Sequence, residues 1–302
     1  MTWSPRTNDL IPSQALGQND SSEMKLCAII PCFEQADFVA NAIGSVLRQL
    51  GDRDGAVIVV DDGSRDGTGG LLAQMAVDEP RLTLIRQPHQ GAAAARNAGL
   101  AALPDDCELV TFLDSDDVMC LGRIAADVPL FADDPALDFT FGRIRMVDAL
   151  DYVSGQPTRT ARQVEFSGPH LGAALFRRSF VDRVGQFDTG FIQGEDVDYL
   201  LRTFEASPKF LQTDTLCVNF LRHDRNLLNN SSEARRGFLH ALQKSVARRR
   251  ADPSIVVHRP AFPMRALTEA SFDASPQRMA LSASPTTKSG TLKRGIFAAP
   301  GT

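Results

Sequence analysis

The chain has 302 residues, 43% of them hydrophobic and 23% charged, with a formal net charge of −5. That length allows one large domain or two small ones with a sizeable core. The acidic balance gives no support to nucleic-acid binding, and no apolar run approaches the roughly 20 residues of a membrane span.

Five cysteines (Cys27, Cys32, Cys107, Cys120, Cys217) are scattered without metal-ligand spacing and fit reduced, buried thiols in a cytoplasmic protein. The first 24 residues are polar, lack an apolar stretch of the secretory type and read as a disordered arm. Lys25 to Pro31 then forms a first strand, apolar on both faces. Phe38, Val39, Ala42, Ile43, Val46, Leu47 and Leu50 recur at helical spacing, with Asp37 as the expected N-cap. Ala56 to Val60 is a second buried strand that ends in Asp61-Asp62-Gly63-Ser64. Asp66 is placed to cap a helix carrying Leu71, Leu72 and Met75. Leu82 to Ile85 is a third strand, Gly91 opens an alanine-rich helix through about Ala102, and Leu109 to Leu113 is a fourth strand.

Strands alternating with helices of this length imply an α/β fold with a mostly parallel central sheet and helices on both faces. Right-handed crossovers then bring the strands' C-terminal ends to one edge. The Pro31 to Glu34 turn, the Asp61-Asp62 pair and the Asp114 cluster all fall there. Further along, a helix is expected over Leu121 to Phe131 and a strand over Leu137 to Val147. Asp148 to Gly168 reads as a loop, followed by a short strand at Ala173 to Phe176, a helix at Glu195 to Glu205 and a strand at Phe210 to Leu221.

Arg235 to Arg250 reads as a basic amphipathic helix with Phe238, Leu239, Leu242 and Val246 on its apolar side. The expectation is that this side packs on the domain; the alternative is peripheral contact with anionic lipid at the inner membrane face. Residues 251–302 are rich in Pro, Ser, Thr and Ala and read as a disordered tail. The expected domains are therefore an arm at 1–24, an α/β domain at 25–232, the basic helix at 233–250 and the tail.

Chemistry concentrates at Val110-Thr111-Phe112-Leu113-Asp114-Ser115-Asp116-Asp117. Asp114 and Asp116, two apart on an extended chain, are expected to point the same way. Like charges clustered at a strand end suit a hard divalent cation, Mg²⁺ or Mn²⁺, shared with substrate phosphates. The same run also suits a plain acidic turn in which Asp117 caps a helix.

The order of motifs resembles a family 2 glycosyltransferase of the GT-A fold. The resemblance covers about Lys25 to Asn230. It is carried by Ala28-Ile29-Ile30-Pro31-Cys32-Phe33-Glu34, by Val59 to Thr68, by Gly91 to Gly99, by Phe112 to Asp117, by Val184-Gly185-Gln186-Phe187-Asp188 and by Gly194-Glu195-Asp196-Val197-Asp198. Each block is unspecific alone; in this order they are specific.

The resemblance implies transfer of a sugar, with inversion, from a nucleotide diphosphate sugar, UDP-linked by expectation, to an acceptor hydroxyl of unknown identity. Mg²⁺ or Mn²⁺ would be the cofactor. It implies that Asp62 reads the base, with Asp61 beside it, Pro31 and Phe33 as walls and Glu34 near. Arg96 would face the base or diphosphate, and Asp114 and Ser115 the donor. Asp116 would be the direct metal ligand, with Asp114 and His223 as further candidates. Asp196 would be the general base and Glu195 its support. Cell-surface polysaccharide or glycoconjugate synthesis is the implied setting. Two rival readings are an inactive nucleotide-sugar-binding protein of the same fold and a nucleotidyltransferase. The latter would show a Gly-rich basic loop where Pro31-Cys32-Phe33-Glu34 stands.

Overall fold

The computed structural model describes residues 24–224, 226 and 231–257. The expected arm, apart from Met24, and the tail beyond Val257 lie outside them. Strand β1 (Leu26–Cys32) is buried at every position. Its sequence has no polar residue to give to solvent, so both faces need cover. Leu26, Ala28 and Ile30 pack on one side with Val39, Ala42, Ile43 and Val46 of helix α1 (Val39–Leu50). Cys27 and Ile29 pack on the other with Ala93 and Ala95 of α3 (Ala92–Ala101). The two-residue period of the strand thus divides the core into two layers.

Strands β2 (Gly55–Asp61), β3 (Leu82–Arg86) and β4 (Leu109–Phe112) join β1 in the parallel order β3-β2-β1-β4. Helix α2 (Thr68–Asp78) connects β2 to β3. Beyond β4 the sheet continues through β10 (Ala174–Arg177), β6 (Phe139–Val147), β11 (Phe210–Leu221) and β5 (Val118–Met119). Strand β9 (Gln163–Ser167) pairs with β6. Strands β10, β5 and β9 are antiparallel to their neighbours, so six of the nine strands run one way. The sheet is the mostly parallel one expected, and its parallel strands end on one edge.

Several local expectations are corrected. Asp37 does not cap α1; the N-cap position is Phe38, with no side-chain cap bond. The chain entering α1 is held instead from α2. Gln35 N donates to Thr68 Oγ1 at 3.0 Å and Ala36 N to Asp66 Oδ2 at 3.2 Å. Asp66 also accepts from Thr68 N at 3.0 Å, so it secures both helix starts. The expected loop at Asp148 to Gly168 contains a hairpin, β7 (Leu150–Asp151) with β8 (Gln156–Pro157), and then β9. Strand β9 escapes notice because only Val164 and Phe166 face the core. Its Glu165 bonds Arg143 and Arg145 outside, so the segment reads as polar.

Helix α4 (Arg123–Asp133) begins with a side chain that is 1% exposed. Arg123 donates to Gly172 O and Ala174 O at 2.8 and 2.7 Å, so its charge meets backbone acceptors inside the sheet. Helices α5 (Arg178–Val184), α6 (Glu195–Glu205) and α7 (Ser231–Ala251) complete the chain. Of the apolar side expected for helix α7, Phe238 and Leu242 are half-buried. The helix's buried positions are Ala241 and Ser245, whereas Leu239 and Val246 are 58% and 38% exposed. Ion pairs explain the choice of face: Arg248 meets Asp198 and Glu205 of α6, and Lys244 meets Asp188. Small residues let the helices close to that distance.

Helix α3 sits hard against β1. A Cβ added at Gly99 would lie 2.5 Å from Ile29 Cγ2. We expect Gly99→Val to overpack this contact and destabilise the fold by about 1–3 kcal/mol. Urea denaturation checks it; a midpoint equal to wild type would show that α3 can shift freely.

Candidate active site

The site lies where β1, β2, β3, β4 and β11 end, the position in which open α/β sheets bind ligands. At its centre stands Arg96 of α3, 4% exposed. Its Nη1 donates to Glu195 Oε1 at 2.6 Å and its Nη2 to Asp114 Oδ1 at 2.8 Å. The guanidinium also lies 5.4 Å from the Phe187 ring centre. Burial opposes this charge, but Asp114 and Glu195 outweigh it and hold the Arg96 pKa above its usual value. Burial pushes the Glu195 carboxyl upward, with Arg96 opposing. The next residue of α3 makes a second brace: Asn97 Nδ2 donates to Phe187 O at 2.9 Å and Phe187 N to Asn97 Oδ1 at 2.7 Å. The motif around Asn97 and the one around Phe187 are therefore two halves of one joint.

After β2 the two aspartates diverge. Asp61 is 0% exposed; it accepts from Ser64 N at 3.0 Å and faces Arg86 Nε at 3.3 Å. It shapes the turn from inside the protein, with no surface open to a nucleotide in this structure. Asp62, 2% exposed, is ringed by the β3–α3 connection. Gln87 Nε2 and Gln90 N donate to its Oδ1 at 2.7 and 2.9 Å, and Gly91 N donates to Oδ2 at 2.7 Å. His89 Nδ1 lies 2.9 Å from Oδ2. The His89 ring rests on Phe33, with centroids 4.0 Å apart. Four partners match the lone-pair sites of a carboxylate. Phe33 and Glu34 are exposed, whereas Pro31 is buried within β1.

Asp114 to Asp117 is a turn, not extended chain, closed by Asp117 N donating to Asp114 O at 3.1 Å. This corrects the expectation that Asp114 and Asp116 act side by side. Asp114 faces Arg96, whereas Asp116 Oδ2 lies 3.0 Å from His223 Nε2 and accepts from Asn226 Nδ2 at 3.2 Å. No group of three metal-ligating side chains is assembled among the described residues; of the expected Asp114, Asp116 and His223, the last two are in contact. Ser115 is buried, as is the Cys32 thiol, which burial pushes up to about 12. Asp117 is 0% exposed and accepts from Leu221 N at 3.1 Å, tying the turn to the end of β11. Burial, then Asp116 and Asp114, drive its carboxyl well above the usual range. His223 stacks on Phe38 with centroids 4.5 Å apart.

Glu195 and Asp196 open α6, whose N-cap Gly194 has φ +91°, a value that favours glycine. Asp196 is partly exposed and bonds the N–H of Val197 through Oδ1 at 2.8 Å. The fold thus brings Arg96, Asp114, Glu195, Asp116 and His223 to one edge and draws Asp61, Ser115 and Pro31 inside. The sequence reading missed His89, Asn97 as a brace, Asp117 as a tie, and Asn226. Asn226 is 7% exposed and accepts from His223 N at 2.6 Å. Its spacing of three from His223 is the one local signal that pointed to it.

A sheet of this order, with acids at the parallel strands' ends, defines an α/β protein of the GT-A fold. Two solved structures share it at low identity. Staphylococcus aureus TarS 1–349 in complex with UDP-GlcNAc gives a TM-score of 0.59 at 16% identity, covering 74% of this chain and 66% of that one. The mannosyltransferase PcManGT from Pyrobaculum calidifontis, in complex with GDP-Man and Mn²⁺, gives 0.55 at 18%, covering 74% and 65%. The sequence pattern described as glycosyl transferase family 2 matches residues 27–185, more than half of the chain. The protein belongs to that family. An uncharacterised glycosyltransferase of Nostoc sp. (strain PCC 7120) is 33% identical over 153 residues, 50% of this chain and 44% of that protein. The succinoglycan biosynthesis protein ExoU of Rhizobium meliloti is 28% identical over 208 residues, 61% of this chain and 58% of that protein. The chain thus matches roughly half of the length of these curated relatives.

The Arg96 bridge yields a prediction. Arg96→Met leaves Glu195 buried without its cation, and we expect a loss of about 3–5 kcal/mol in urea denaturation. Adding Glu195→Gln should recover part of it, since the buried charge is then gone. A single mutant as stable as wild type would show that the bridge contributes nothing.

Proposed function

We propose that the protein is a metal-dependent, inverting glycosyltransferase that moves a sugar from a nucleoside diphosphate sugar to an acceptor hydroxyl. The observation that carries this reading is the division of labour among the acids. Arg96 engages Glu195 and Asp114, which leaves Asp196 as the partly exposed carboxylate of the pair and Asp116 turned toward His223. Inverting transfer needs a base facing the acceptor and a counter-charge facing the leaving group.

Asp196 takes the acceptor proton as its oxygen attacks the anomeric carbon, and the diphosphate departs from the opposite side. Asp116 and His223 would hold Mg²⁺ or Mn²⁺ through one carboxylate oxygen and one imidazole nitrogen, donors that suit either ion. When bound, the cation neutralises charge gathering on the diphosphate. Asn226 holds His223 through its backbone N–H and Asp116 through its carboxylate, keeping both aimed alike.

Asp62 reads the base only if one of its four partners yields. His89, whose side chain is 56% exposed, is the one free to swing, and Phe33 then becomes the stacking surface. A uracil N3–H donor suits Asp62, in line with the UDP-GlcNAc held by TarS. ExoU and the R. meliloti protein ExoW, 42% identical over 96 residues, are named for succinoglycan biosynthesis; a polysaccharide acceptor is the reading they support. Five free, buried cysteines support a reading in which the reaction runs on the cytoplasmic side.

Two outcomes are expected. Asp196→Asn lowers transfer about 10²- to 10⁴-fold while UDP affinity stays unchanged. Transfer within a few-fold of wild type would move the base to another residue. Asp116→Asn and His223→Ala each abolish the Mn²⁺-dependent part of UDP binding in calorimetric titration. Equal affinity with Mn²⁺ and with chelator, in wild type, would remove the metal from the reading.

A further inference from the structure

Helix α7 has two faces, and the fold uses only one. Gly237, Ala241, Lys244, Ser245 and Arg248 share the inner face by helical spacing and make the contacts to α6 and its lead-in. Leu239, Leu242 and Val246 fall on the opposite side at i, i+3 and i+7. They line a shallow surface depression with Gln243, Ala247 and Arg250. Arg235 and Arg236 flank this stripe at one end, Arg249 and Arg250 at the other, and all four are exposed. Among the described residues none of the four is in an ion pair, while Lys244 and Arg248 on the inner face both are. Among the described residues no acid is paired with a basic group on this face, in a chain of net charge −5.

The geometry points to α7 as an in-plane docking element for an anionic lipid surface. Its apolar stripe enters the acyl boundary, and its arginines meet headgroup phosphates at both ends. The pattern of charge argues for this occupant over two others. A second copy pairing the same face would bring arginine pairs onto arginine pairs, whether the helices ran parallel or antiparallel. The chain beyond Val257 carries six Lys or Arg and two Asp or Glu, so it too is of like charge. An anionic bilayer complements the stripe and all four arginines at once. The inference stands on α7 alone and holds whichever reaction the site performs.

Co-sedimentation of the full chain with phosphatidylcholine vesicles, with and without phosphatidylglycerol, tests it. Binding is expected with phosphatidylglycerol at low salt, with reversal at high salt and none on pure phosphatidylcholine. Arg249→Glu/Arg250→Glu and, separately, Leu239→Ser/Val246→Ser should each weaken binding on the order of tenfold or more. Their melting temperatures should match wild type, since neither pair touches the inner face. Absence of binding at low salt overturns the proposal. So does binding by both variants equal to wild type, which would assign the attraction to the basic residues beyond Val257. Self-association in lipid-free sedimentation velocity that the Leu239→Ser/Val246→Ser variant abolishes would make the face a contact between copies and overturn it too.

Discussion

One guanidinium joins three parts of the chain that are far apart in sequence. Arg96 lies on α3, Asp114 follows β4 and Glu195 opens α6, and the first is bonded to both of the others. A cation so nearly buried is tolerable only because carboxylates of opposite charge stand at hydrogen-bond distance on two sides of it. The Asn97–Phe187 brace one residue further on fixes the angle at which α3 meets the segment leading to α6. Together they turn a sheet edge into a defined site.

Around that centre the acids are sorted by environment. Asp61 and Asp117 turn inward and bond backbone N–H groups that shape the turns, and Ser115 between β4 and β5 is buried too. Asp196 and Asp116 keep part of their surface toward the cleft. A sequence lists these residues as equals, since Asp61 and Asp62 are adjacent, as are Asp116 and Asp117. Burial separates them.

The fold was legible in the sequence wherever a segment had one dominant cause. Strand β1 is apolar throughout, β11 spans the expected Phe210 to Leu221, and α6 the expected Glu195 to Glu205. Strand β9 was not legible, because two inward side chains cannot outweigh a polar edge. Candidate site residues were found where they belong to ordered motifs, and lost where their role depends on a partner far along the chain. His89 looks solitary until β3 brings it beside Asp62 and Phe33. Asn226 has no signature except proximity to His223, yet it holds both members of the candidate metal pair. Of the four apolar residues read on α7, Phe238 and Leu242 are half-buried and Leu239 and Val246 exposed. Docking followed the ion pairs and the small residues, which hydrophobic periodicity does not weigh.

The contact between Gly194 and Gly237 has a consequence for how such domains can be recombined. A Cβ at Gly237 would lie 2.0 Å from Gln193 O, and one at Gly194 would lie 2.8 Å from Gly237 C. Backbone meets backbone there, one residue before Glu195. The stretch that matches the family ends at residue 185, well before either glycine. A chimera spliced at that boundary would graft α6 from one parent against a seventh helix evolved for another, and any side chain at either glycine position would wedge the two apart. The modular unit of this protein therefore runs past its family signature, and α6 and α7 have to be inherited as a pair.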